Sequence, residues 1–176
     1  MEKSAGEARV GVVGALPPPP LVTVAAALQQ LSANNAGNLP ASFSANGAFA
    51  NGASAPSLRG LTVDSTLVLI DGLRTAYYPL ADDGQRNFVD INSIPMSTVQ
   101  TIDVEQDGAS STYGADAVAG VVNYILDDKF EGLDFNAQGQ FTQKLDAPQE
   151  QIYLKYGRSF DHEKGHVVFD IEYRNA

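Results

Sequence analysis

Between residues 107 and 126 the chain reads DGASSTYGADAVAGVVNYIL. Glycines stand at 108, 114 and 120, small residues fill most of the space between them, and an apolar run follows. Residues this small contribute little core volume of their own. They let backbone segments approach closely, and glycine also admits positive φ. The reading that uses both properties is a tight turn at Asp107-Gly108, a short helix near Thr112–Ala119, and a strand over VVNYIL. Gly114 and Gly120 are then positions of close backbone approach, and Gly120 can also end the helix. Tyr113 is the one large side chain before the strand. The same glycine spacing would suit a ligand cradle, and the stretch by itself does not choose between packing and binding.

The segments around it supply a sheet. TLVLIDG, 66–72, is a continuous apolar run closed by Asp71-Gly72, the pattern of a strand buried on both faces. TIDVEQDG, 101–108, alternates Ile102 and Val104 with polar residues and reads as a strand ending in a turn. SIPMSTVQ, 93–100, has Ser93 placed as a cap and Pro95 in the first turn, which predicts a short helix. Further upstream, Val24, Leu28 and Leu31 recur at helical spacing behind Thr23, predicting a second one. Before it, residues 1–20 read as a tail ending in PPPP, a stiff spacer. Residues 32–56 have the Asn, Gly, Ala and Ser content of a loop. Helices and strands interleave without strict alternation, which indicates an α+β fold.

From Gly132 onward the texture changes. Leu133, Phe135, Ala137, Gly139 and Phe141 share one face of a first segment. Ile152, Leu154 and Tyr156 share one face of a second. Val167, Phe169, Ile171 and Tyr173 share one face of a third. Polar residues occupy most opposite positions. Outer-membrane barrel strands have this alternation, and so does an antiparallel meander on a soluble core. Periodicity leaves both open.

Charge excludes one partner class. The net charge is -10, and all of it lies beyond residue 60, because Glu2 and Glu7 are more than offset by Lys3, Arg9 and Arg59. A phosphate-binding surface needs clustered Lys and Arg, so nucleic acid is not an expected partner. No stretch approaches the roughly 18 apolar residues of a spanning helix. The apolar run Val10–Leu16 is cut by Pro17–Pro20, so the start does not read as a signal peptide. Either the protein is cytosolic, or the chain does not begin where its precursor began.

HEKGH, His162–His166, matches the H-E-x-x-H zinc pattern letter for letter. That chemistry needs a helix presenting both imidazoles on one face. Gly165 is a poor helix residue, and alternating segments flank the motif, so a hairpin turn is the better reading. A zinc hydrolase built on His162, Glu163 and His166 is kept as an alternative, as is a soluble α+β binding module. Tyr77, Tyr78, Asp82, Asp83 and Arg86 fall in one polar loop, where paired aromatics beside charges could hold a ligand. They equally suit an ordinary solvated loop.

Taken in order, LRG at 58–60, TLVLIDG at 66–72, VDINSIP at 89–95, TIDVEQDGASSTYGADAVAGVVNYIL at 101–126 and KFEG at 129–132 resemble the plug domain of TonB-dependent outer-membrane receptors. The resemblance covers residues 57–132 closely and 21–56 loosely. It implies an α+β fold in which a small mixed-sheet plug domain with short helices precedes an antiparallel β-meander belonging to an incomplete outer-membrane β-barrel. The implied layout is a flexible N-terminal tail with a Pro-rich spacer at 1–20, the plug at 21–131, and the first transmembrane strands at 132–176. The barrel of such transporters has about 22 strands, so a fragment of a longer receptor is expected.

The implied activity is gated import of a scarce nutrient such as a ferric siderophore, haem, cobalamin or a carbohydrate, with no enzyme chemistry, cofactor or metal. The implied partners are the periplasmic energy transducer TonB, the remaining β-barrel, outer-membrane lipid and a small nutrient ligand. The implied place is the outer membrane of a Gram-negative bacterium, with the plug in the lumen and reached from the periplasm. Tyr77, Tyr78, Asp82, Asp83 and Arg86, together with the 42–56 loop, become ligand-facing candidates. Gly60, Asp71, Gly72, Asp107, Gly108, Tyr113, Gly114, Gly120 and Asn123 become structural residues of the plug motif, so Gly114 and Gly120 are expected to serve packing.

Arg59 matches the first of two plug arginines that, in relatives, meet glutamates on the barrel wall. Gln106 stands where the second would be, which puts that lock in doubt. No clear TonB box is present; RVGVV, 9–13, is a poor match.

Overall fold

The computed structural model of the chain describes residues 24–29, 34, 39, 52–107, 109–140, 149–160 and 165–175. Its strands are β1 (Thr66–Ile70), β2 (Leu73–Arg74), β3 (Val99–Glu105), β4 (Gly120–Leu126), β5 (Gly132–Gln140), β6 (Gln149–Phe160) and β7 (Gly165–Asn175). Its α-helices are α1 (Val24–Gln29) and α2 (Ser110–Tyr113). The first four strands form one sheet in the order β2-β1-β4-β3, and the last three form a second in the order β5-β6-β7. β1 and β4 are parallel, while the other pairings are antiparallel. The fold is α+β: a small mixed sheet with short helical turns, followed by an antiparallel meander.

β1 is apolar throughout because both of its faces are covered. Val68 belongs to a core cluster with Val24 and Leu28 of α1, Ile102 and Val104 of β3, and Val122 and Tyr124 of β4. Leu67 and Leu69, pointing the other way, pack with Val121, Ala109 and Ala117. Two layers therefore sandwich the sheet, and α1 closes one of them. Asp71-Gly72 joins β1 to β2 with φ of 48° and 76°. Ile70 pairs with Leu73 across this two-residue loop, the geometry that favours Asp-Gly in a hairpin. Asn123 accepts a hydrogen bond from the Gly72 amide at 2.9 Å, and the Asp71 carboxylate accepts one from Leu126 at 2.9 Å. The hairpin is thus tied to the far end of β4.

Three local expectations need correction. SIPMSTVQ does not form one helix capped by Ser93. It contains two 3-10 turns, Ile91–Ser93 and Met96–Thr98, and Asp90 caps the first by accepting from the Asn92 amide. Pro95 is the reason, since it pushes the preceding residue out of helical space, and Ile94 is extended at φ -94°, ψ 112°. The small-residue helix lies earlier than the spacing predicts. It occupies Ser110–Tyr113 and stops because Gly114 adopts φ 86°. A short 3-10 turn, Ala115–Ala117, follows.

The two glycines also differ from each other. A Cβ on Gly114 would meet nothing within 4 Å, so this residue serves backbone conformation rather than close approach. Gly120 does not end a helix but opens β4. At φ +140°, its Cβ would lie 2.4 Å from the Glu105 carbonyl oxygen and 2.7 Å from Leu58 Cδ1. Gly108 lies outside the described residues, as do Thr23, Leu31 and Phe141.

The meander keeps the predicted alternation and fixes its direction. Leu133, Phe135, Ile152, Tyr156, Val167, Phe169, Ile171 and Tyr173 are exposed, with Leu133 at 68% and Phe135 at 64%. The opposite face carries Asp134, Gln151, Tyr153, Lys155, Asp170, Glu172 and Arg174. That polar face is the one turned toward the first sheet, through hydrogen bonds to Ser97, Asp127 and Asn92. A meander covering a soluble core would present its apolar face inward; here the arrangement is reversed.

Candidate functional site: the 77–88 loop and the seam against the meander

The loop after β2 is braced from within. The Tyr78 amide donates to the Phe88 carbonyl at 2.7 Å, and the two rings stack at 5.3 Å between centroids with 16° between planes. Phe88 is buried with Leu39, Ala53, Ala55 and Val63, and Tyr78 lies against that cluster. Higher in the loop, the Asp82 and Arg86 backbones exchange hydrogen bonds at 2.9 and 3.0 Å. Their side chains form an ion pair at 2.7 Å, with the Asp82 carboxylate buried. Asp83 and Gly84 turn the chain at φ 53° and 68°. Of the five residues singled out from sequence, Tyr78, Asp82 and Arg86 therefore build the frame. Tyr77 and Asp83 are exposed on it. Of the other candidate loop, residues 42–51 lie outside the described residues, while Ala53, Ser54, Ala55 and Pro56 are buried.

Two residues that sequence reasoning missed tie this loop to the sheet. Arg74 donates to Asp116 at 2.6 Å and also to the Tyr113 carbonyl. Tyr77 stands beside the same Asp116, and its phenol pKa is raised above the usual value, first by burial and then by the Asp116 carboxylate. Tyr113 itself packs against Leu67, Leu69, Ala109, Ala117 and Val121. The single usable signal was Arg74 directly after Asp-Gly-Leu, where a two-residue hairpin brings it back beside β1.

At the opposite end of the sheet, Arg59 and Gly60 sit at φ 57° and 70°. The Arg59 guanidinium donates to Asp107 at 3.1 Å and to the Gln106 carbonyl at 3.3 Å, and its side chain stays 47% exposed. It braces the turn after β3. The contacts between the first sheet and the meander lie elsewhere.

Those contacts form a polar seam. The Lys155 ammonium on β6 bonds the Asp127 carboxylate at 2.7 Å and the Ser97 carbonyl at 3.1 Å. It also stands 4.5 Å above the Phe130 ring. The Ser97 hydroxyl faces Asp170 at 2.9 Å and Glu172 at 3.1 Å. Gln151 donates to Glu172 at 3.0 Å, and the Tyr153 hydroxyl donates to Asp134 at 3.1 Å. Arg174 reaches the Asn92 carbonyl at 3.5 Å. His166 lies on β7, in extended backbone rather than on the helix a zinc motif requires; His162 and Glu163 lie outside the described residues. Among the described residues, no group of three or more His, Cys, Asp or Glu is arranged to hold a metal ion.

Comparison with known proteins places these features together. The family model described as TonB-dependent Receptor Plug Domain matches residues 19–121. The vitamin B12 transporter BtuB of Vibrio cholerae is 37% identical over 68 residues, which is 39% of this chain and 10% of that protein. The chain thus spans about a tenth of the length of the curated relatives it matches. Among solved structures, the unliganded ferric citrate transporter FecA gives a TM-score of 0.47 at 24% identity, covering 63% of this chain and 17% of that one. A mutant of the ferric enterobactin receptor PfeA of Pseudomonas aeruginosa, in complex with enterobactin, gives 0.47 at 20%, covering 69% and 19%. The family match takes in more than half of the residues, including β1, the braced loop and β3, and the chain belongs to the TonB-dependent receptor plug domain family.

Proposed function

We propose that residues 21–131 are the gating plug of a TonB-dependent transporter in a Gram-negative outer membrane, and that residues 132–176 are the first strands of its barrel wall. The observation that carries this is the reversed meander. Its exposed face is a continuous apolar band and its polar face meets the plug. Strands with lipid outside and a polar lumen inside have this arrangement. In water the same band would be an aggregation surface, which argues against the soluble binding module. No helix among the described residues is long and apolar enough to cross a membrane, and strand crossing is a separate matter.

In this reading TonB acts through a segment N-terminal to the plug, and no bond is made or broken in the cargo. The 77–88 loop is the ligand-facing element, with Tyr77 and Asp83 presented and Tyr78, Asp82 and Arg86 holding the shape. The relatives named above include a vitamin B12 transporter and receptors for ferric citrate and ferric enterobactin. They support a small, bulky nutrient as the class of cargo.

The test uses the intact receptor that carries this chain. Uptake of the cargo should stop when TonB is deleted, and removal of the plug should open the barrel to ions. Uptake that proceeds at the same rate without TonB would overturn the reading.

A further inference from the structure

Lys155 is 4% exposed, and a lysine is almost never that buried unless it is paired. Its own strand neighbours offer partners. Asp134 on β5 and Asp170 on β7 stand directly opposite it on the same face, and opposite charges in that relation normally pair across the sheet. The ammonium reaches past both into the plug. It bonds Asp127, the first residue after β4, and the Ser97 carbonyl before β3. Beneath it lies the ring of Phe130, in the connector between plug and meander.

A second observation, independent of charge, fixes the same place. Gly157, two residues further along β6, is pressed against that connector. A Cβ there would lie 2.0 Å from the Phe130 carbonyl oxygen. The connector is therefore held by backbone contact at Gly157 and by two interactions of the Lys155 cation, with Asp127 and Phe130, while a third ties that cation to Ser97. Arg59, by contrast, spends its guanidinium on Asp107 and Gln106 within the plug and stays half exposed.

We propose that Lys155 is the positioning residue that seats the plug against the wall. In this seat the wall supplies the cation and the plug supplies the carboxylate, Asp127, through the connector that leaves β4. The inference rests on the plug-and-wall reading above and names the residues that perform it.

The test is ion conductance of the purified full-length receptor in planar bilayers, with potassium chloride as the probe, measured together with amide exchange of the 77–88 loop. Lys155→Met removes the cation that joins Asp127 and the Ser97 carbonyl, leaving the partly exposed Asp127 carboxylate without its partner, and the basal leak should rise about tenfold or more. Exchange rates of the 77–88 loop amides should stay within about twofold, because the seam is separate from that loop. Adding Asp127→Asn to Lys155→Met should raise the leak little beyond that of either single variant, because both remove the same contact. A purely structural defect would instead deepen. If Lys155→Met does not assemble, Asp127→Asn alone leaves the wall strands unchanged and should leak. Deleting the plug calibrates the assay. If that deletion leaks while Lys155→Met and Asp127→Asn stay sealed, the inference fails and the plug reading stands. If the deletion does not leak, the plug reading itself fails. A leak from Arg59→Ala with tight Lys155 and Asp127 variants would move the seat to Arg59.

Discussion

Gly120→Ala isolates what the close approach of β3 and β4 is worth. Two costs add at this position. The backbone stands at φ +140°, and holding a non-glycine residue in such a region costs about 1–3 kcal/mol. The added Cβ would also sit 2.4 Å from the Glu105 carbonyl and 2.7 Å from Leu58 Cδ1. Glu105 is paired with Val121 at that end of the ladder, and Leu58 is fully buried. Neither can yield without moving the sheet, and forced overpacking of this kind costs about 1–3 kcal/mol more. Gly114→Ala is the internal control. Its φ is 86°, but its Cβ would meet nothing within 4 Å, so it carries only the backbone cost of about 1–3 kcal/mol.

The assay is amide hydrogen exchange on the intact receptor, read at the peptides covering β4. At roughly 1.4 kcal/mol per tenfold, Gly120→Ala should lower protection of Val121 and Val122 by about 5- to 140-fold more than Gly114→Ala does. Equal losses in the two variants would refute the reasoning, because only the steric term separates them.

Arg86→Ala should cost about 1–3 kcal/mol of loop stability, below the full loss for a buried pair because the guanidinium is itself partly exposed; faster exchange at the Asp82 and Gly84 amides would show it. Tyr77→Ala should weaken cargo binding while loosening the loop less than Tyr78→Ala does, because Tyr77 stays half exposed. Tyr78→Ala should weaken binding and loosen the loop together, since it removes the stack on Phe88. Burial and the Asp116 carboxylate raise the Tyr77 pKa, and the neutral phenol is the favoured form. Its contribution to stability is therefore present below pH about 10 and is lost as pH rises through the higher folded value. An ultraviolet titration should show one late-ionising tyrosine fewer in Tyr77→Phe, and Asp116→Asn should bring Tyr77 to ionise earlier.

Much of the architecture was legible because it depends on near neighbours. The apolar run of β1, the Asp-Gly hairpin and the two-residue period of β5, β6 and β7 are properties of a few consecutive residues and of backbone geometry. The five loop candidates lie in one segment between β2 and β3, but their division into frame and face was not readable. That division depends on Phe88 and on an ion pair that folds Asp82 inward.

The sequence by itself determined which residues alternate and where chain direction reverses. Only the tertiary structure decided which face of the meander points inward, which glycine is crowded, and which cation joins the two parts. Alternation is identical for a sheet turned either way, so the period cannot carry its own orientation. Gly114 and Gly120 look equivalent until β3 arrives beside one of them. Lys155 meets Ser97 across a separation of 58 residues and Asp127 across 28. Such partners are selected by how the surfaces meet, and no local pattern encodes that meeting.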